Sequence, residues 1–271
     1  MTPEDRLHAL PIWPSAPTIR RLQAGRTNEN FIVESGGQRF FGRLGVDLPH
    51  HGISRRNEAR MATLAAEIGI GPPIRYARDG ILVADFIDGR PLEASDLHAA
   101  ETLGRAAQLL RRLHRPAPVD SAAFDLRAVC LRYLSQISTT ELADGHRQWI
   151  SRTLDAVPHL PTHAVIHADL VPENLIDDGE RLWLVDWEYA SRGDPATDLA
   201  ILAMNAELDA DMTAELVRSH GAVDLAIVQA LLPAAAIREA LWTVVQIRAV
   251  GARGDLPDYS RRCFARLGLP R

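Results

Sequence analysis

The stretch Val165-Ile-His-Ala-Asp-Leu-Val-Pro-Glu-Asn-Leu-Ile176 constrains this chain more than any other. It sets His167, Asp169 and Asn174 in the order H-x-D-x-x-x-x-N between apolar runs. A second apolar segment, Leu182-Trp-Leu-Val185, then delivers Asp186 at its end. Read as strand, loop, strand and strand-end acid, the pattern fits phosphoryl transfer. That chemistry needs one carboxylate to take a hydroxyl proton and oxygen ligands to hold magnesium on a triphosphate. Asp169 is the candidate base, and Asn174 and Asp186 are the candidate metal ligands. His167 is expected to brace the loop by hydrogen bonding. His159, His163 and His167 recur every four residues, but Pro161 and the strand-like Ala164-Val-Ile break the helix that a zinc site at that spacing needs.

Composition narrows the options further. A chain of 271 residues can build a two-lobed enzyme. No apolar run approaches the roughly 20 residues that span a bilayer, and no signal segment opens the chain, so no membrane partner is expected. Cys130 and Cys263 are the only cysteines, which implies a reducing, cytoplasmic setting. A net charge of −5 and the lack of a basic stripe argue against a nucleic-acid partner. All 30 Lys and Arg positions are arginine. Any phosphate-gripping cation must therefore be Arg, and a Walker A loop is excluded.

The chain changes character near residue 88. Before it lie strands around Ile19–Leu22, Phe31–Glu34, Arg39–Leu44 and Ile81–Phe86, with one helix from about Arg55 to Ile68. After Asp88-Gly89-Arg90-Pro91 the pattern is helical: Leu97–Leu113, Leu126–Ile137, Glu141–Val157, and from Thr197 onward with Pro233 and Pro257 as breaks. The expected domains are 1–88, a small β-rich nucleotide lobe with its hinge, and 89–271, a larger helical lobe holding the catalytic loop and the acceptor site. This is an α+β architecture.

Within the first lobe, the turn Gly25-Arg-Thr-Asn28 falls where a hairpin would cover phosphates, making Gly25, Thr27 and Asn28 candidates. Arg43, on the next strand, is the candidate phosphate cation, and Glu58, on the following helix, its orienting partner. Asp85 and Ile87 lie in the inter-lobe segment, whose backbone can pair with adenine. Downstream, Asp198 is expected to cap the helix that begins there.

His167 to Ile176, Leu184-Val-Asp-Trp-Glu-Tyr-Ala190 and Gly193-Asp-Pro-Ala-Thr-Asp-Leu-Ala200 together resemble the aminoglycoside phosphotransferase/choline kinase superfamily. The resemblance implies a two-lobed, protein-kinase-like fold using ATP and Mg2+. Gly25-x-Thr-Asn, Arg43 and Ile53-Ser-Arg-Arg-Asn-Glu58 resemble its choline/ethanolamine kinase branch. That branch implies a small, cationic alcohol as acceptor, with Tyr189, Trp242 and Tyr259 around the ammonium group and Glu188, Glu207 or Glu239 supplying negative charge. A monomer or homodimer is expected. Two departures bear on the acceptor. Asn205 stands where the family usually has Glu, and Glu239 where animal members carry Trp. Thiamine kinase and aminoglycoside phosphotransferase are alternatives within the enzyme class. A non-catalytic nucleotide-binding module is the alternative outside it. Protein kinases proper match less well, because only about seven residues separate Asp186 from Gly193.

Overall fold

The computed structural model describes residues 1–22, 28–118 and 122–269, so Gly25 and Thr27 lie outside the described residues. In chain order the elements are α1 (Pro3–His8), β1 (Thr18–Leu22), β2 (Glu29–Ser35), β3 (Gln38–Leu44), α2 (Arg55–Glu67), β4 (Ile74–Arg78), β5 (Ile81–Asp85) and β6 (Arg90–Pro91). There follow α3 (Ala100–Leu113), α4 (Leu126–Gln136), α5 (Asp144–Asp155), β7 (Ala164–Ile166), β8 (Leu175–Asp177), β9 (Leu182–Leu184), β10 (Ser191–Gly193), α6 (Pro195–Asn205), α7 (Ala210–His220), α8 (Leu225–Val250) and α9 (Leu256–Arg266). They group into two compact units: residues 1–92 with 173–190, and residues 93–172 with 191–271.

The first unit is an antiparallel sheet in the order β1-β2-β3-β5-β4. Side chains alternate across a strand, so one face collects Phe31, Val33, Phe40, Leu44, Ile81 and Val83, all buried against Leu7 of α1. Gly42 keeps that approach open, since an added Cβ would lie 3.3 Å from Leu7. The same alternation turns Arg43 to the opposite face. Helix α2 buries Glu58, Met61, Ala62 and Ala65, a single face at helical spacing. Ser54 occupies its N-cap position without a side-chain cap bond. A smaller sheet, β6-β8-β9, completes the unit.

The segment 173–190, placed by sequence in the second lobe, thus groups with the first unit. Local pairing is the reason. β8 pairs with β6, the Leu92 N–H donates to Leu175 O, and the Leu184 N–H donates to Ile70 O.

The second unit is helical apart from the β10–β7 pair. Its centre is α8, packed on α4, α6 and α9. The expected break at Pro233 does not occur, because α8 runs through it. Packing of the helix on three neighbours outweighs the ~3 kcal/mol that an interior proline costs. At 26 residues α8 is, by length and composition, long and apolar enough to cross a membrane, contrary to the reading from sequence. Residues Ala234 to Gln246 are nevertheless buried within the unit, as in a core helix. Pro257 falls in the first turn of α9, where its missing N–H is harmless.

Candidate active site

In the first unit four buried side chains interlock. The Arg43 Nη1 donates to Glu58 Oε1 and lies 3.0 Å from Asp186 Oδ1. The other Glu58 oxygen accepts from Arg55 Nη1 at 2.7 Å, and that nitrogen also donates to Glu188 Oε2 at 3.0 Å. Arg43, Arg55, Glu58 and Glu188 are each at most 8% exposed. Burial works against the charge on Arg43, but Asp186, Glu58 and Glu188 outweigh it and hold the guanidinium above its ordinary range. It is a permanent cation at any working pH. Backbone geometry admits Arg55: a Cβ added to Gly45 would fall 2.8 Å from its guanidinium carbon.

The β8–β9 hairpin delivers Asp186. Asp178 Oδ1 accepts the Glu180 and Arg181 N–H groups and its other oxygen accepts from Trp183 Nε1, which pushes its carboxyl down to about 2. The Val185 N–H donates to the backbone carbonyl of Asn174 at 3.0 Å, tying the two candidate metal ligands together. Asp186 itself takes the left-handed conformation, φ 69°, which costs a non-glycine residue about 1 kcal/mol and re-aims its side chain. Its side chain is 31% exposed, and its buried Oδ1 is the oxygen that faces the Arg43 guanidinium.

In the second unit the candidate catalytic loop hangs from Asp198. That carboxylate is fully buried and accepts the His167 N–H at 2.7 Å and the Ala168 N–H at 2.8 Å. Ala168 has φ 61°, a strained position for alanine that these two bonds hold in place. His114 Nε2 lies 3.1 Å from the same carboxylate and its Nδ1 lies 2.9 Å from His220 Nε2. Asp198 therefore does not cap α6; Asp194 does, accepting from the Ala196 N–H ahead of Pro195. His167 is fully buried. Asn205 Nδ2 donates to Leu170 O at 3.1 Å, so the residue that departs from the family pattern supports the same loop.

Asp169 has a partner that the sequence reading missed. Arg238 Nη1 on α8 donates to Asp169 Oδ1 at 3.1 Å, and its side chain is 2% exposed. The same nitrogen lies 3.6 Å from Glu239 Oε2. An adjacent Arg-Glu pair inside an otherwise apolar helix was the available signal. Arg55 was likewise missed as a functional group, although it stands in the quoted Ser-Arg-Arg-Asn-Glu motif.

The remaining expected residues divide between the units. Asn28 donates to Glu188 Oε2 at 2.9 Å, and the Asp85 N–H donates to Pro73 O at 2.9 Å. The Asp85 carboxylate holds Arg75 in a fork at 2.6 and 2.7 Å. The Ile87 carbonyl accepts from the Gly89 N–H. Glu188, expected at the acceptor, has one oxygen engaged by both Arg55 and Asn28. Tyr189 is buried in the first unit, whereas Trp242 and Tyr259 belong to the second. Glu239 accepts from the Tyr259 hydroxyl at 2.6 Å, and the Arg262 guanidinium stands 5.6 Å over the Tyr259 ring. Glu207 pairs with Arg266 at 2.9 Å and is largely exposed. All three acids expected to draw a cation thus have partners of their own.

Residues 18–235 match the model of the phosphotransferase enzyme family, and the chain belongs to that family. Protein LicA of Haemophilus influenzae is 24% identical over 205 residues, covering 72% of this chain and 60% of that protein. A thiamine kinase of Shigella boydii is 28% identical over 191 residues, covering 69% of this chain and 66% of its own length. The chain spans less than two thirds of either relative. The structure of a choline/ethanolamine kinase family protein from Mesorhizobium loti, 26% identical, matches with a TM-score of 0.76 over 97% of this chain and 92% of that one. The fold is protein-kinase-like.

Proposed function

We propose that this member of the phosphotransferase enzyme family transfers the terminal phosphoryl group of ATP to a hydroxyl of a small molecule. The observation that carries the reading is Arg43, a buried cation shared by Glu58 and the strand-end acid Asp186. A phosphate-pairing cation and a metal-binding carboxylate in one place are what a triphosphate with magnesium requires. The first unit serves the nucleotide, with Arg43 on the phosphates, Glu58 orienting it and the Ile87 backbone facing adenine. The second unit supplies Asp169 and the acceptor pocket.

The donors fit Mg2+. Asp186 offers a part-exposed carboxylate, Asn174 adds a hard amide oxygen in the same unit, and this ion takes only one or two protein oxygens beside phosphate. When bound with the nucleotide, Mg2+ would supply charge neutralisation on the phosphates. Asp169 accepts the proton of the acceptor hydroxyl as the oxygen attacks the terminal phosphorus and the bond to the bridging oxygen breaks, releasing ADP. Arg238 pairs with that carboxylate and fixes its direction, while Asp198 holds the backbone beneath it. No residue of the chain is phosphorylated along the way.

For the acceptor, a small cationic alcohol remains the first reading. It is supported by the similarity to choline/ethanolamine-type and thiamine kinases and by Trp242, Glu239 and Tyr259 in the second unit. Arg238 favours a second reading. It sits between Asp169 and Glu239, so positive and negative groups alternate there, as an acceptor bearing both an ammonium and a carboxylate would require. An ADP-release screen tests both with choline, ethanolamine, thiamine, L-homoserine, aminoglycosides and neutral sugars. Turnover of choline or ethanolamine supports the first reading, and turnover of homoserine alone supports the second. Phosphorylation of neutral sugars alone would overturn both and leave the broader phosphotransferase assignment.

A further inference from the structure

Between α2 and the β4–β5 hairpin of the first unit lies a cavity of about 750 Å³, within the size range of small-molecule sites. Its wall is cationic. Arg43, Arg55, Arg56, Arg60 and Arg78 line it, against the carboxylates of Glu58, Glu67 and Asp79. Arg56 and Arg78 are exposed, and no ion pair among the described residues engages either.

A second observation points to a ligand. Arg43 and Arg55 are both more than nine-tenths buried, yet Arg43 Nε and Arg55 Nη2 have no acceptor. Two carboxylates crowd onto Arg55 Nη1 while its other terminal nitrogen is left over. Each of the exposed lining guanidiniums, Arg56 and Arg78, presents a fork that matches a phosphate or carboxylate oxygen pair. Ala59, Leu64 and Leu82 provide an apolar lining for the body of an organic molecule.

We propose that this cavity is a binding site for a phosphate-bearing small molecule, held by Arg56 and Arg78 and sharing only its inner wall, Arg43 and Glu58, with the proposed nucleotide site. Occupancy is sensed through Arg55. An anion that draws Arg55 loosens its hold on Glu58, and Glu58 then pairs more fully with Arg43. In the catalytic reading given above, on which this consequence rests, Arg43 is the phosphate cation, so an occupied cavity lowers the KM for ATP.

The probe is phenyl phosphate, a phosphomonoester dianion with no free hydroxyl to act as acceptor. Calorimetric titration into protein saturated with Mg·AMP-PNP should show one binding event. The double variant Arg56→Gln, Arg78→Gln should weaken it at least tenfold while leaving ATP turnover without probe within twofold. Both side chains are exposed, and a thermal melt matching wild type confirms that the variant folds. In the wild type, saturating phenyl phosphate should lower the KM for ATP severalfold, and the double variant should lose this response. Absence of a binding event, or equal affinity in the double variant, overturns the site. Binding without any change in the KM for ATP overturns the link to Arg43. If no acceptor supports ADP release while the titration succeeds, the catalytic reading has failed and the site stands.

Discussion

Replacing Arg238 by Met isolates the cation beside the catalytic carboxylate, since Met fills much of the same volume without charge. The pair is 3.1 Å apart, with Arg238 2% and Asp169 22% exposed. At an effective dielectric near 20, Coulomb's law bounds the interaction at about 5 kcal/mol. Water reaching Asp169 screens it, leaving on the order of 1.5–2.5 kcal/mol. Because the pair stabilises the ionised ground state of the carboxylate, its loss costs rate only where the unpaired carboxylate becomes protonated. A neighbouring cation also favours the ionised carboxylate, so its removal makes the base easier to protonate. The assay is the pH dependence of kcat/KM. In Arg238→Met the acid limb should move to higher pH. The KM for ATP should stay within twofold, because Arg238 belongs to the helical unit. Arg238→Lys should restore part of the rate and return the limb toward its wild-type position. An acid limb unmoved in the Met variant, with only a uniform drop in rate, would refute the electrostatic role and leave Arg238 as packing.

Asp169→Asn should lower turnover by about 10²–10⁴-fold while ATP titration shows binding nearly intact, as expected for loss of a general base alone. Asp186→Ala should remove the magnesium dependence of ATP binding; a wild-type magnesium response in the variant would place the ligand elsewhere. Stability should fall on acidification through the His220 site. Burial first, and then the His114 and Arg111 charges, push this imidazole from 6.5 down to about 4, so it stays neutral in the fold. The unfolded chain binds that proton from pH 6.5 downward, so the stability present above pH 6.5 is lost as pH falls toward 4. His220→Gln should flatten the melting temperature over that window, and an unchanged slope would dismiss the assignment.

The single-residue signals that were legible in sequence are those set by local geometry. The spacing of Asp169, Asn174 and Asp186 is a property of one loop and one hairpin. Strand alternation alone separates Arg43 from the core-facing Phe40 and Leu44, and helical spacing alone puts Glu58 on the buried face of α2 with Met61, Ala62 and Ala65. Each of these follows from a period of two or of 3.6 residues, which needs no knowledge of the rest of the chain.

Tertiary structure decided which charges compensate one another. Glu188 stands two residues from Asp186 and reads as an acceptor group, but it is taken up by Arg55, which lies far from it in sequence. Asp198 has the look of a helix cap and instead carries the catalytic loop, because Asp194 and Pro195 already begin the helix. Pro233 signals a break that the surrounding helices override. Arg238 shows the limit most clearly. Its own helix offers only the neighbouring Glu239, and only the packing of α8 brings Arg238 to Asp169. A buried charge must find its partner wherever the chain returns, and that return is a property of the packed core, not of any local segment.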